Sequence, residues 1–150
     1  LYGPGDNYHP EHSHVLPALI RRFHEAKESQ QPTVTIWGTG SPRREFLYVD
    51  DLADALVHLC ALPDPPDWVN VGTGSDLTIL DVAKSVAATV GYIGKIETDP
   101  DRPDGTPVKC TDATLLHSTG WKHQVELAEG LKRTYQSFLS EIGAGQLRSV

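Results

Sequence analysis

The sequence predicts an α/β fold, and three observations predict it. Apolar stretches of helical period alternate along the chain with short runs of β-branched residues. Glycine and proline clusters, drawn from 13 Gly and 11 Pro, mark each change of period. The 150 residues, 39% of them hydrophobic, suffice to bury one core but not two. The strands are nonetheless too few and too short to complete a doubly wound sheet.

Leu1 to Ser13 is dense in turn formers and reads as a loop. A helix follows with Ser13 as N-cap. Val15, Leu16, Leu19, Ile20 and Phe23 recur at helical spacing, and Pro17 falls in the first turn, where a missing N–H costs little. Val34-Thr35-Ile36-Trp37 is a β-branched strand broken by Gly38 to Pro42, and Glu45 to Val49 is a second short strand. Asp50 should cap a helix over 51–61 with Leu52, Ala55, Leu56 and Leu59 facing inward. After a proline-rich linker, Trp68 to Val71 is a buried strand candidate. Thr78-Ile79-Leu80-Asp81 has the form of a capping box and opens a helix closed by Gly91. Ile96 lies in a short strand, and 100–107 is a polar loop. Asp112 caps a short helix, and Leu127, Leu131, Tyr135 and Phe138 space a last one. Residues 143–150 read as a loose tail.

Thirteen basic against twenty acidic residues give a net charge of −7. No Lys/Arg run provides the footprint of nucleic-acid binding, and no apolar run approaches the ~20 residues of a membrane span. The opening Leu1-Tyr2-Gly3-Pro4 does not read as a signal peptide. The sequence contains no methionine, so Leu1 is expected to follow a processing event or to begin an internal piece of something longer. Cys60 and Cys110 fit a reducing compartment better than a disulfide scaffold, and a cytoplasmic location is expected. The pairs Gly38-x-Gly40 and Gly72-x-Gly74 lack the third glycine and the following helix of a dinucleotide fingerprint.

Leu1-Tyr2-Gly3-Pro4, then Trp37-Gly38-Thr39-Gly40 with Arg44-Glu45-Phe46-Leu47-Tyr48-Val49-Asp50-Asp51, then Asn70-Val71-Gly72-Thr73-Gly74 occur in that order. Together they resemble the C-terminal half of extended short-chain dehydrogenase/reductases acting on nucleotide sugars. Asp6 to Pro10 with Ser13-His14-Val15, the stretch Ala18 to Ala26, and Pro103 to Lys109 narrow the resemblance to the GDP-L-fucose synthase family. It runs over about residues 1–140. It implies that 1–142 is the substrate-binding portion of an epimerase/dehydratase-type domain, lacking the N-terminal Rossmann half. It also implies the family's activity: epimerisation of GDP-4-keto-6-deoxy-D-mannose at C3 and C5, then reduction of the 4-keto group by NADPH. The cofactor is NADP(H), the partner a GDP-sugar, and the full-length family is homodimeric. The family's glycine-rich fingerprint, its Ser/Tyr/Lys set and its epimerisation cysteine would precede Leu1, so the isolated chain is expected to be inactive. A non-catalytic sugar-nucleotide-binding remnant and another nucleotide-sugar epimerase or reductase remain as alternatives.

The resemblance assigns roles that the residue chemistry suits. His14 stands at a loop-to-helix junction, and an imidazole titrating near neutrality can give or take a proton; it matches the family's acid/base histidine beside the nicotinamide. A diphosphate in a net-acidic protein needs local cations, and a guanidinium fork suits phosphate oxygens. Arg22, Arg44 and Lys109 match substrate-contacting positions, as do Trp37, whose indole can lie against sugar or base, and Asp104. Leu1 is expected to touch NADP through its backbone. His9, His12 and His14 form a dense trio without a fourth ligand, and no metal is expected. Cys110 reads as structural or incidental.

Overall fold

The computed structural model describes residues 1–148. Helices α1 (Val15–Glu28), α2 (Val49–Ala61), α3 (Ile79–Val90), α4 (Thr114–Ser118) and α5 (Leu127–Gly143) alternate with strands β1 (Thr33–Trp37), β2 (Arg43–Arg44), β3 (Leu77–Thr78), β4 (Lys95–Asp99) and β5 (Val108–Lys109). The fold is α/β, as the alternating periods require.

The main core is built by three helices and β1. α1 buries Leu16, Leu19, Ile20, Phe23 and Ala26; α3 buries Val82, Ala83, Val86, Ala87 and Val90; α5 buries Leu131, Thr134, Tyr135 and Phe138. These are the i, i+3, i+4 positions that place side chains on one face. Val34 and Ile36 of β1 join them, with Tyr2, Tyr8 and Tyr48 from the loops. Each large apolar side chain so buried contributes about 1.5–3 kcal/mol. His24 Nδ1 lies 3.0 Å from Tyr135 Oη and ties α1 to α5. A second cluster gathers Leu47, Ala55, Leu116 and Trp121.

The strands form two small sheets. β1 runs parallel to β4, with Thr33 opposite Lys95 and Trp37 opposite Asp99. β2 lies between β3, antiparallel, and β5, parallel, so that Arg44 stands opposite Lys109. The capping box opens α3 as expected: the Asp81 N–H donates to Thr78 Oγ1 at 3.1 Å, and Gly91 closes the helix in the left-handed region at φ 76°.

Several sequence expectations need correction. The N-cap of α1 is His14, not Ser13, and neither side chain caps the helix. The N-cap of α2 is Tyr48; Asp50 and Asp51 fall in its first turn, where their charge favours the helix dipole. Leu56, expected inward, is 51% exposed. The 45–49 strand is displaced: among the described residues ladder pairing is confined to Arg43–Arg44, and beyond it Glu45 N–H donates to Lys109 O at 3.2 Å and Tyr48 forms an isolated bridge with Tyr2. Trp68 to Val71 pairs with no strand among the described residues, and Trp68 is 89% exposed. Ala113 takes the N-cap of α4, while Asp112 Oδ1 accepts from Thr114 N–H at 3.0 Å. The expected loose tail begins inside α5, and its described part is anchored. Leu147 packs on the main core, and Tyr8 N–H donates to Arg148 O at 2.9 Å, because an apolar side chain there finds a surface to cover. Residues 149–150 of that tail lie outside the described residues.

Candidate functional site

Four of the side chains singled out by the sequence, Arg22, Trp37, Arg44 and Asp104, line one cleft between α1, the end of β1 and the 100–107 loop. Its larger lobe, about 670 Å³, is lined by Ser13, Val15, Arg22, Trp37, Ile79 and Arg102, among others. Its smaller lobe, about 220 Å³, is lined by Trp37, Arg44, Ile79, Asp104 and Gly105. Val15, Trp37 and Ile79 border both lobes, so the indole stands as a partition.

Each side chain is placed by its element. Arg22 is half-buried on α1 and donates from Nη1 to Thr35 O on β1 at 3.1 Å, which fixes the guanidinium against the sheet edge. Trp37 ends β1 and is 64% exposed, since the chain turns away at Gly38. Arg44 ends β2 and donates from Nη1 to Arg43 O at 2.7 Å and Thr106 O at 2.6 Å. Its Nη2 lies so near Gly105 that a Cβ there would approach it to 3.0 Å. The Asp104 carboxylate serves the turn beside it: Thr39 N–H donates to Oδ1 at 2.9 Å and Thr39 Oγ1 to Oδ2 at 2.7 Å. Gly38 has φ 73°, and a Cβ there would fall on Asp104 Oδ1.

Three expected site residues lie away from the lining. His14 is exposed at the lip of the larger lobe, between Ser13 and Val15, which both line it. Lys109 stands opposite Arg44 in register, with an exposed side chain. Leu1 lines a separate cavity of about 280 Å³ with Tyr2, Gly3, Val49 and Arg148.

Sequence reasoning missed Arg102 and Glu45. The Arg102 guanidinium lies 5.2 Å from the centroid of the Trp37 ring, a cation–π arrangement, and faces Arg22 in the same lobe. No local pattern marks it; only the folding of 100–107 over β1 brings it there. Glu45 braces the far side of β2. Its Oε1 accepts from Gly74 N–H at 2.7 Å and Thr73 Oγ1 at 3.1 Å, and its Oε2 accepts from Thr111 N–H at 2.8 Å. Burial raises the Glu45 pKa, but the hydrogen bonds from Thr111, Gly74 and Thr73 outweigh it and hold the carboxyl below its ordinary value.

The NAD dependent epimerase/dehydratase family matches residues 1–72. A "Probable GDP-L-fucose synthase 1" of Oryza sativa subsp. japonica is 54% identical over 142 residues, which are 95% of this chain and 43% of the relative. Residues 1–72 therefore resemble the NAD-dependent epimerase/dehydratase family, and the similarity to this relative extends over nearly the whole chain. A "GDP-L-fucose synthase" of Escherichia coli (strain K12) is 50% identical over 149 residues, 93% of this chain and 46% of that protein. Among solved structures, a GDP-D-glycero-L-gluco-heptose synthase from Campylobacter jejuni, crystallised in the presence of NADPH, superimposes with a TM-score of 0.79 at 33% identity. The match covers 93% of this chain and 50% of that one. The chain thus spans about half the length of the epimerase/dehydratase relatives it matches.

A GDP-L-fucose synthetase from Naegleria fowleri, 26% identical with a TM-score of 0.82 over 97% of this chain and 46% of that one, was solved bound to NADP. Gly38 N–H donates to Asp99 O at 2.9 Å, Thr39 N–H to Asp104 and Gly74 N–H to Glu45, so the glycine turns spend these donors internally. Among the described residues no helix is long and apolar enough to cross a membrane.

Proposed function

We propose that this chain is the substrate-binding portion of a GDP-L-fucose synthase, which epimerises GDP-4-keto-6-deoxy-D-mannose at C3 and C5 and reduces its 4-keto group with NADPH. One observation carries this reading: Arg22, Trp37 and Arg44, from three different elements, border one two-lobed cleft whose lip carries His14. Two guanidinium groups held against backbone carbonyls offer fixed charge to a diphosphate, and the exposed indole offers a flat face to a sugar or base. Asp104 shapes the smaller lobe by holding the Gly38–Gly40 turn, and Lys109 adds charge beside Arg44. NADPH supplies the hydride when bound, and in this reading it is held chiefly by the part of the relatives that this chain does not span, with Leu1 and His14 at its edge. The chain by itself therefore does not turn over substrate. A homodimeric, cytoplasmic enzyme belongs to the same reading.

The test is a titration of the full-length enzyme, wild type and Arg44→Ala, with GDP and with NADPH. A charge-assisted hydrogen bond contributes about 1.5–3 kcal/mol, so GDP binding should weaken about ten- to a hundredfold. Arg44→Lys should restore only part, because an ammonium lacks the planar fork. Unchanged GDP affinity together with reduced NADPH affinity would move Arg44 to the cofactor side and overturn the assignment.

A further inference from the structure

The wall of the larger lobe opposite Trp37 is not a regular element. It is the loop Pro10 to Ser13, which contributes Pro10, Glu11 and Ser13 to the lining and delivers His14 to the lip. Such a wall needs its backbone donors satisfied if it is to keep one shape. Two of them go to a single atom: the N–H groups of Glu11 and His12 both donate to His9 Nδ1, each at 3.1 Å. The His9 N–H in turn donates to Asn7 Oδ1 at 3.0 Å, and the His12 ring stacks on His9 with centroids 4.6 Å apart.

An imidazole nitrogen that accepts carries no proton, so His9 is neutral here with its hydrogen on Nε2. Protonation turns Nδ1 into a donor pointed at two donors, and both bonds are lost together. The charged groups facing His9 come from two elements. α1 presents Arg21, Arg22 and Glu25 across a cavity of about 180 Å³, and the loop itself presents Glu11 and His12. Arg21 and Glu25 are paired with each other at 2.7 Å, and Arg22 is bonded to Thr35 O.

We propose that His9 is a positioning residue of the cleft: as a neutral imidazole it locks the Glu11–His12 backbone, and its protonation releases the wall that carries Ser13 and His14. His9 touches no reacting atom in this scheme. The link to ligand binding rests on the nucleotide-sugar reading of the cleft, whereas the lock itself does not.

The test separates the two. Long-range ¹H–¹⁵N spectra of the labelled chain report the protonation of each His9 nitrogen. Near pH 7.5 the proton should be on Nε2. On acidification the Glu11 and His12 amide resonances should titrate with the His9 ring. In His9→Asn, whose Oδ1 can accept the same two N–H groups, they should not. GDP is then titrated into both proteins from pH 7.5 to 5.5. Every other group is the same in both proteins, so the ratio of the wild-type affinity to that of the variant isolates His9. That ratio, wild type over His9→Asn, should fall about tenfold on acidification, the scale of two released hydrogen bonds in a coupled equilibrium. A proton on Nδ1 at pH 7.5, amides that ignore the ring, or a constant or rising affinity ratio overturns the proposal. The wild-type spectra decide the lock even if the variant fails to fold. Titrating amides without GDP binding at any pH would support the lock and defeat the nucleotide reading.

Discussion

Inverting a carbon beside a ketone removes a proton from one face and returns one on the other, so two proton-handling groups must flank it. His14 can be one of them, because the start of α1 sets it at the lip of the larger lobe with no side-chain cap to perform. Cys110 cannot be the other. It is exposed just past the end of β5 and lines neither lobe, and desolvation, then the Glu45 and Asp76 carboxylates, hold its thiol above the ordinary value. In the proposed reading the second group comes from the part of the relatives that this chain does not span. With this chain joined to that part of the Escherichia coli relative, His14→Gln should slow solvent-deuterium incorporation at C3 and C5 by about 10²–10⁴-fold. Incorporation at the wild-type rate would remove His14 from the proton relay. Arg22, Trp37 and Arg44 could be named only through the resemblance, since alone an arginine serves equally well as surface charge and an indole as edge packing; the structure places all three in the lining of the cleft. The same is true of Asp104, whose carboxylate serves a turn equally well, and here both of its oxygens do.

Segments that carry no regular pairing of their own are held by carboxylates. Glu45 joins β2 to the Thr73–Gly74 turn and to Thr111, and the buried Asp51 of α2 accepts from the N–H groups of Gln124 and Val125 at 3.1 and 3.0 Å. The sign of the Glu45 contribution follows from its lowered pKa. Stability from this group is fully present above the unfolded carboxyl value of about 4.3 and is lost as pH falls through the lower folded value. Wild type minus Glu45→Gln, followed by denaturant unfolding from pH 6 to 3, should shrink toward the acid end. A difference that stays constant over that range would show that the carboxylate charge is not what joins the loops. These joints explain which elements the sequence disclosed. α1, α3 and α5 were legible because a helix advertises its buried face in its own period. Trp68 to Val71 carries a strand's alternation, with Val69 and Val71 half-buried, but a strand also needs a ladder partner, and none lies among the described residues. The 45–49 segment forms no ladder for the same reason, its backbone reaching Lys109 O from Glu45 and Tyr2 through an isolated bridge.

At the scale of the whole molecule, several large apolar side chains among the described residues are left open to solvent. Val57 is 70% exposed on α2, and Trp68 and Leu115 line a cavity of about 490 Å³ with Val69. Lone exposed apolar residues are ordinary, but contiguous ones mark a surface that another body covers. Because the chain spans about half the length of its relatives, we expect that body to be their remaining part. Leaving apolar surface in water forgoes ~25 cal/mol for each Å² that docking would bury, so the 150-residue chain alone should be marginally stable. It should bind an apolar-surface dye such as ANS, unfold over a broad temperature range, and show no NADPH-dependent reduction of GDP-4-keto-6-deoxy-D-mannose. Adding the complementary part of the Escherichia coli relative should suppress the dye signal, sharpen the transition and supply the hydride site together. The three responses are coupled through one interface, which makes the expectation a stringent one. Val57→Lys with Leu115→Lys, both at exposed positions, should leave the isolated chain folded, weaken its recovery by the added part and hold the dye signal high. A sharp, dye-silent transition of the chain alone, or turnover by it, would mean that these open side chains are finished surface and that the molecule is complete without a second half.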